Sequence, residues 1–113
     1  PEIQFNFNEI FKTCKENKIA LEINSFPERL DLRDMYIRDA VNNNVKMIIN
    51  TDSHDVDHFR FIKYGIAQAR RGWCSKNDII NTYDLSKFKK FFNIRWYWFL
   101  LNIFLQRFQL NLN

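Results

Sequence analysis

The sequence is poor in four features that would each point to a class of protein. It has only two cysteines, two glycines and two prolines among its 113 residues, and its longest apolar segment is short. Two cysteines cannot form the disulfide framework of a secreted scaffold, and no signal peptide is visible, so we expect Cys14 and Cys74 to be reduced thiols in a cytoplasmic protein. Few glycines and prolines argue against a loop-rich or disordered chain.

The apolar core of the C-terminal segment covers residues 96–105, far short of the roughly 20 residues that a membrane-spanning helix needs. We therefore expect no membrane partner. A hydrophobic content of 46% is enough for one packed core. The net charge of +4 permits a polyanionic partner without requiring one, because the lysines and arginines are scattered. The chain begins without methionine, near the start of a helix, so we expect it to be part of a longer protein.

Apolar periodicity divides the chain into alternating helices and strands. The pattern predicts helices over 7–17, 31–43 and 55–71, strands over 19–25 and 45–52, a short helix opened by a capping box at Ser75–Asp78, and a further helix from about 84. Alternation with short connections is typical of an α/β fold with parallel strands and outer helices. The helix over 31–43 would then be the crossover between two neighbouring parallel strands.

Several helix ends and faces can be assigned from the residues alone. Asp31 is predicted as an N-cap, with Asp34 in the capping-box position three residues later. Gly72 is predicted to end the third helix, with Trp73 packing back on its last turn. The buried face of that helix is predicted to hold Phe59, Ile62, Ile66 and Ala69, and Cys14 is predicted to lie in the core.

The segment INTDSH places Asp52 and His54 directly after the second apolar strand. In parallel α/β folds, the loops at the carboxyl ends of the strands form the active site. If the strand continued, Asp52 and His54 would point to the same side with Cα atoms roughly 6.6 Å apart. A carboxylate and an imidazole suit zinc, manganese or iron. The alternative, a polar turn with a helix cap, stays open at this point.

The stretch ALEINSFPERLDLRDMYIRDAVNNNVKMIINTDSH, followed by YGIAQARRGW and DIINTY, resembles the C-terminal part of the polymerase and histidinol phosphatase (PHP) domain. It is most similar to the version found in bacterial and archaeal family X DNA polymerases. TDSH matches the T-D-A-H signature of the last metal-binding motif, and ARRGW is typical of the polymerase-linked branch. The resemblance implies that residues 1–92 are the C-terminal portion of a distorted (β/α)7 TIM-like barrel. Residues 93–113 are then a hydrophobic tail of unknown role, predicted to be helical over 94–108.

The resemblance also implies an activity. Such domains hydrolyse phosphoesters with up to three metal ions, usually zinc or manganese, and in this branch the expected reaction is 3′–5′ exonucleolytic cleavage of DNA. Carried over to this chain, Asp52 and His54 are metal ligands with a catalytic role. The expected partners are DNA, the N-terminal remainder of the barrel and polymerase domains. The earlier H-x-H ligands have no counterpart here, so we expect the chain alone to be inactive.

Two other functions remain open. One is a free-standing PHP phosphatase that acts on a small phosphomonoester such as histidinol phosphate. The other is a PHP scaffold without catalysis, which supports a polymerase or binds DNA.

Further polar residues are candidates for the same site. Asn24, near the end of the first strand, and Arg29, in the loop that follows, are candidates for binding substrate phosphate, since a guanidinium can hold a phosphate with two hydrogen bonds. Glu22 shares the side of Asn24 and is predicted as a structural acid of the barrel interior. His58 is predicted to be a surface helix residue. Arg70 and Arg71 either contact a DNA backbone or interact with the helix dipole.

Overall fold

The computed structural model describes residues 5–92. The residues through Tyr83 belong to one compact unit and those from Asp84 onward to a second. The hydrophobic tail 93–113, with the helix predicted over 94–108, lies outside the described residues. The division of the chain at residues 92 and 93 stays a prediction.

The first unit alternates helices and strands in the predicted order. Its elements are α1 (Phe7–Asn17), β1 (Leu21–Asn24), α2 (Asp34–Asn42), β2 (Met47–Asn50), a 3-10 helix (Val56–Phe61), α3 (Ile62–Arg71) and two 3-10 turns (Lys76–Asp78 and Ile80–Thr82).

The second unit contributes α4 (Leu85–Phe91) to the described residues. It begins as predicted, because the carboxylate of Asp84 accepts a hydrogen bond from the backbone N–H of Lys87. Within residues 5–92, every helix is too short or too polar to cross a bilayer.

β1 and β2 pair in parallel, with Leu21 opposite Met47 and Asn24 opposite Asn50. Helix α2 connects them, so the predicted neighbouring strands and their crossover are confirmed. Both strands are shorter than predicted because their ends turn away into loops. The α/β character of the chain is therefore established by two parallel strands and their helices.

The outer edge of β2 is covered by the segment that follows α3. Ile79 forms a parallel bridge with Met47. The side-chain amide of Asn81 accepts from the N–H of Ile49 at 2.8 Å and donates to its carbonyl oxygen at 2.9 Å. The capping box at Ser75–Asp78 is confirmed, with both of its hydrogen bonds present. The helix predicted after it is replaced by two 3-10 turns with extended Ile79 between them.

The helices of the first unit pack on one face of the two-stranded sheet. Ile23, Met47 and Ile49 point into the core, where the buried partners from the helices and loops are Phe11, Cys14, Ile37, Ala40, Val45, Ala69 and Ile79. Glu22 and Asn24 lie on the opposite face, since side chains alternate along a strand. Glu22 is exposed and Asn24 half-buried. Parallel sheets are ordinarily covered on both faces, whereas residues 5–83 cover one.

Helix α2 begins three residues later than predicted. Arg33 occupies the N-cap position and makes no side-chain capping bond. The backbone carbonyl of Asp31 instead accepts a hydrogen bond from the N–H of Asn24, which holds residue 31 in the loop beside β1. The prediction of Asp31 as N-cap is therefore wrong.

Of the four residues predicted to form the buried face of the third helix, Ala69 is buried and the other three are not. Phe59, Ile62 and Ile66 are exposed, whereas Gly65 and Ala69 are buried. The reason is close approach: a Cβ at Gly65 would overlap the hydroxyl oxygen of Ser25 and the γ-methyl group of Ile49. The side of the helix that carries Gly65 therefore packs on the strands, and the side that carries Ile62 and Ile66 does not.

Helix α3 ends at Gly72 as predicted, but the conformation there and the position of Trp73 differ from the prediction. Gly72 caps the helix with a φ of −79°, and the left-handed residue is Trp73, with a φ of 63°. The Trp73 ring is 70% exposed and stacks on the guanidinium of Arg38, 3.8 Å from the ring centroid. Gly72 is buried because its Cα faces Ile37.

Replacing Gly65 with alanine tests the close approach. In an open helix this change would stabilise the protein by up to about 1 kcal/mol. Here we expect Gly65→Ala to lower the free energy of unfolding by about 1–3 kcal/mol, because the added methyl group overpacks the contact with Ser25 and Ile49. Urea denaturation measures the change. Ala67→Gly, on the exposed side of the same helix, is the control and should cost about 1 kcal/mol through propensity alone. Stabilisation by Gly65→Ala would contradict the packing.

Candidate functional site

Two loops leave the carboxyl ends of β1 and β2 side by side, because the strands are parallel and in register. The loop after β1 carries Arg29, and the loop after β2 carries Asp52 and His54. This edge is where parallel α/β folds place their functional residues.

The Asp52 carboxylate joins the two loops. Its Oδ2 accepts a hydrogen bond from Asn24 Nδ2 at 3.2 Å and lies 4.0 Å from Arg29 Nε. The Asp52 side chain is 38% exposed and that of Arg29 64% exposed, so the ion pair is solvated and contributes little stability. Both contacts use Oδ2, whereas Oδ1 has no hydrogen-bond partner among the described residues.

A tight turn brings Arg29 back towards Asn24. The Asn24 side-chain oxygen accepts from the N–H of Phe26 at 2.9 Å. The carbonyl of Phe26 then accepts from the N–H groups of Arg29 at 2.9 Å and Leu30 at 3.0 Å. Asn24 thus uses its oxygen to shape its own loop and its nitrogen to hold Asp52.

Asp52 departs from strand geometry. β2 ends at Asn50, and Asp52 has a φ of 50°, a left-handed conformation that aspartate tolerates better than most residues. The expectation that Asp52 and His54 point to the same side of one continued strand is therefore wrong. The sharp turn at Asp52 instead directs its carboxylate to the β1 loop.

The imidazole of His54 is held by the turn that it follows. His54 Nδ1 donates a hydrogen bond to the carbonyl oxygen of Asp52 at 2.8 Å. Since a carbonyl can only accept, Nδ1 carries a proton, and in the neutral ring Nε2 keeps its lone pair. The His54 side chain is exposed, so Nε2 is available to a metal ion. Metal-binding histidines commonly have their other nitrogen bonded to a backbone carbonyl in this way.

Ser53 does not join these groups. Its hydroxyl oxygen lies 2.6 Å from that of Thr51, with which it shares a hydrogen bond. Ser53 therefore stabilises the turn.

His58 is more than a surface residue. Its Nδ1 accepts a hydrogen bond from the backbone N–H of His54 at 3.2 Å, and its half-buried ring contacts Phe26 and Phe61. His58 therefore lies on a helix at the surface as predicted, but it is half-buried and makes specific contacts. The four-residue spacing between His54 and His58 carried a signal for this contact, whereas nothing in the sequence pointed to Phe26.

The cluster brings together all four predicted site residues: Asn24, Arg29, Asp52 and His54. Asp52 and His54 offer a carboxylate oxygen and an imidazole nitrogen, the donors that zinc and manganese accept. Residues 5–92 contain no group of three or more His, Cys, Asp or Glu side chains placed to hold one ion. A metal ion at these two donors would need further ligands from outside the described residues.

The remaining candidates lie apart from the cluster. Glu22 is exposed on β1. Arg70 is exposed at the end of α3, and Arg71 there donates through Nε and Nη2 to Asp34 Oδ2 at 3.3 and 3.2 Å. Arg71 therefore pairs with a carboxylate of α2.

Both cysteines have unpaired thiols that burial keeps protonated. Cys14 is buried in the core as predicted, and burial raises its pKa. Burial, with a smaller contribution from the Asp78 charge, raises the pKa of Cys74 to about 11. Neither thiol is a nucleophile at neutral pH.

Comparison with known proteins relates the chain to a DNA-processing enzyme. Over 88 residues, or 78% of the chain, it is 30% identical to the DNA polymerase/3′–5′ exonuclease PolX of Bacillus subtilis (strain 168). The aligned part is 15% of the length of that protein. No protein-family model matches the chain. The chain is thus distantly related to PolX over most of its length.

The ion pair between Arg71 and Asp34 has a measurable effect on titration. The hydrogen bond from Arg71 lowers the pKa of Asp34 below its ordinary value. We expect Arg71→Met to raise the Asp34 pKa towards that of a free aspartate, as followed by NMR of the Asp34 carboxyl carbon. Arg70→Met is the matched control and should leave that pKa unchanged.

The same pair makes stability depend on pH. Because the folded pKa is the lower one, the contribution is complete above the unfolded pKa of about 3.9 and is lost as the pH falls through the folded value. The difference in unfolding free energy between the unmodified chain and Arg71→Met should shrink in that window. A constant difference would show that the ion pair is not formed in solution.

Proposed function

We propose that this chain is part of a PHP-type, metal-dependent phosphoesterase, and that it acts in the 3′–5′ exonuclease of a family X DNA polymerase. The observation that carries the proposal is the convergence of Asn24, Arg29, Asp52 and His54 at the carboxyl edge of two parallel strands. The relationship to PolX supports the choice of DNA as substrate, because that protein is named as a DNA polymerase and 3′–5′ exonuclease.

In this proposal Asp52 and His54 are two ligands of a zinc or manganese centre of up to three ions. Asp52 contributes a carboxylate oxygen and His54 contributes Nε2, while the other ligands come from the N-terminal remainder of the barrel. When bound, such metal ions activate a water molecule and stabilise negative charge on phosphoryl oxygens. The chain's own contribution is to hold two ligands in fixed orientation.

Asn24 and Arg29 have separate tasks. Asn24 Nδ2 fixes the Asp52 carboxylate by its hydrogen bond. Arg29 is mostly exposed and lies at the limit of ion-pair distance, so its guanidinium is free to bind a phosphate of the substrate. The pairing with Asp52 keeps the arginine near the metal ligands before substrate arrives.

In the proposed (β/α)7 barrel, the uncovered face of the sheet would line the barrel interior. Glu22 and Asn24 would face the barrel interior, and the segment at Ile79 would extend the sheet beyond β2. The other barrel strands, the polymerase domains and DNA are the proposed partners, in the cytoplasm.

Two alternative functions would use the same residues. A scaffold without catalysis is supported by the contacts of Asp52 Oδ2 with Asn24 and Arg29, which join the two loops through protein atoms. A free-standing phosphatase for small phosphomonoesters would use the same ligands. It is less favoured because the relative of this chain is named as a DNA polymerase and exonuclease.

Manganese binding tests the proposed ligands directly in this chain. Paramagnetic Mn²⁺ should broaden the NMR signals of Asp52 and His54 first. Asp52→Asn removes the charge that offsets the cation, and His54→Ala removes the nitrogen donor, so each should abolish the selective broadening. Ser53→Ala is the matched control and should keep it, since the Ser53 hydroxyl bonds to Thr51 and, within residues 5–92, to neither proposed ligand. Broadening that is centred elsewhere, or that survives in Asp52→Asn and His54→Ala, would favour the scaffold.

Activity is tested in the longest protein that contains this chain. We expect Asp52→Asn and His54→Ala to lower metal content and release of nucleotides from the 3′ end of DNA together. For both variants, the loss of metal affinity should exceed roughly 10–100-fold. A loss of roughly 10–100-fold is typical of removing a residue that hydrogen-bonds to a metal ligand, and we expect it for Asn24→Ala. Mass spectrometry gives the metal content, and a labelled DNA strand gives the rate. Full activity of both ligand variants would exclude the proposed centre.

A further inference from the structure

The proposed function makes no use of His58, although its contacts are specific. The ring lies parallel to that of Phe61, with centroids 5.2 Å apart, and meets the edge of Phe26 at 5.3 Å. Phe26 and Phe61 also contact each other edge-to-face at 5.4 Å. Three rings from both sides of the site therefore pack together. We call Phe26, His58 and Phe61 the ring cluster.

The hydrogen bond of His58 fixes its own protonation. Because Nδ1 accepts from the His54 N–H, it carries no proton, and the neutral ring is protonated at Nε2. His54 has the opposite arrangement, with its proton on Nδ1. The two histidines thus have different tautomers, each set by one hydrogen bond.

His54 is consequently held at two points. Its backbone N–H is bound by His58, and its ring is bound by the carbonyl of Asp52. An exposed side chain on a short loop would otherwise sample several rotamers. Fixing both the peptide and the ring leaves Nε2 pointing in one direction.

The ring cluster fixes His58 in turn. Phe61 ends the 3-10 helix that follows the β2 loop, and Phe26 belongs to the tight turn that positions Arg29. The aromatic contacts therefore place the acceptor nitrogen relative to both loops. Aromatic pairs of this kind contribute beyond their buried area.

We propose that His58 is a positioning residue that orients His54 for metal binding, and that the ring cluster couples this orientation to the loop that carries Arg29. The consequence for metal affinity rests on the proposed function. The orientation of His54 does not, and it can be measured without any metal. The competing explanation is that His58 only fills space between Phe26 and Phe61.

Two substitutions separate these explanations in the 113-residue chain. His58→Phe keeps an aromatic ring in the cluster and removes the acceptor. His58→Asn removes the ring, but its Oδ1 can take the place of Nδ1 as acceptor for the His54 N–H. Phe59→Leu is the control, because Phe59 is an exposed aromatic residue of the same 3-10 helix.

The first measurement uses the unmodified chain and NMR. We expect a scalar coupling across the hydrogen bond between the His54 backbone nitrogen and His58 Nδ1, with His54 protonated at Nδ1 and His58 at Nε2. A His58 ring protonated mainly at Nδ1 would overturn the proposal, whether or not any variant folds.

The second measurement compares the variants. His58→Phe should unfold at nearly the same temperature as the unmodified chain, lose the hydrogen-bonded shift of the His54 amide and give a mixture of His54 tautomers. His58→Asn should restore the amide shift, and Phe59→Leu should change nothing. Unchanged His54 signals in His58→Phe would show that His58 only fills space.

Zinc titration by calorimetry adds the functional consequence. We expect His58→Phe to weaken Zn²⁺ binding by roughly 10–100-fold, as for other partners that orient a ligand, with partial recovery in His58→Asn. Equal affinity in all variants would overturn the proposed effect of His58 on metal binding. Absence of Zn²⁺ binding by the unmodified chain would count against the proposed function, whereas the His54 signals decide the orienting role of His58 independently.

Discussion

The candidate site depends on the parallel pairing of β1 and β2. The register places Asn24 opposite Asn50, so the loops that follow the two strands leave the sheet at the same level. From that point a single amide can reach the carboxylate of Asp52, although 28 residues separate them in the sequence. Antiparallel pairing would send the two loops to opposite ends, and a shift of one residue would turn Asn24 to the core face. The distances between the site side chains are therefore set by backbone hydrogen bonds of the sheet, in which those side chains take no part.

Much of the fold could be predicted because it follows from local patterns. Apolar periodicity located α1 over the residues observed, and the two short apolar runs identified β1 and β2. Capping chemistry placed the turn at Ser75 and the start of α4, since each depends on one side chain and a nearby N–H group. Such features are decided within a few residues, and tertiary contacts have little scope to change them.

The errors share a different cause, which is contact between distant segments. Phe59, Ile62 and Ile66 were predicted to be buried with Ala69, yet Gly65 lies beside Ala69 on the buried side because the backbones approach closely there. Asp31 has the chemistry of a cap, but its carbonyl is bound by Asn24. At the site, the residue types were predicted and their arrangement was not. The left-handed turn at Asp52 and the contact of His58 with Phe26 both depend on where the β1 loop lies.

The side chain of Asn81 occupies the outer edge of β2. By binding both the N–H and the carbonyl of Ile49, it substitutes for the peptide group of a neighbouring strand, while Ile79 occupies the next position along the same edge. Exposed strand edges invite pairing with other chains, and a side chain in this place blocks it. Among the described residues, the edge beside β2 is therefore already satisfied. A further strand would therefore pair either with β1 beside Glu22 or with the outer side of the segment at Ile79, as closure of the proposed barrel requires.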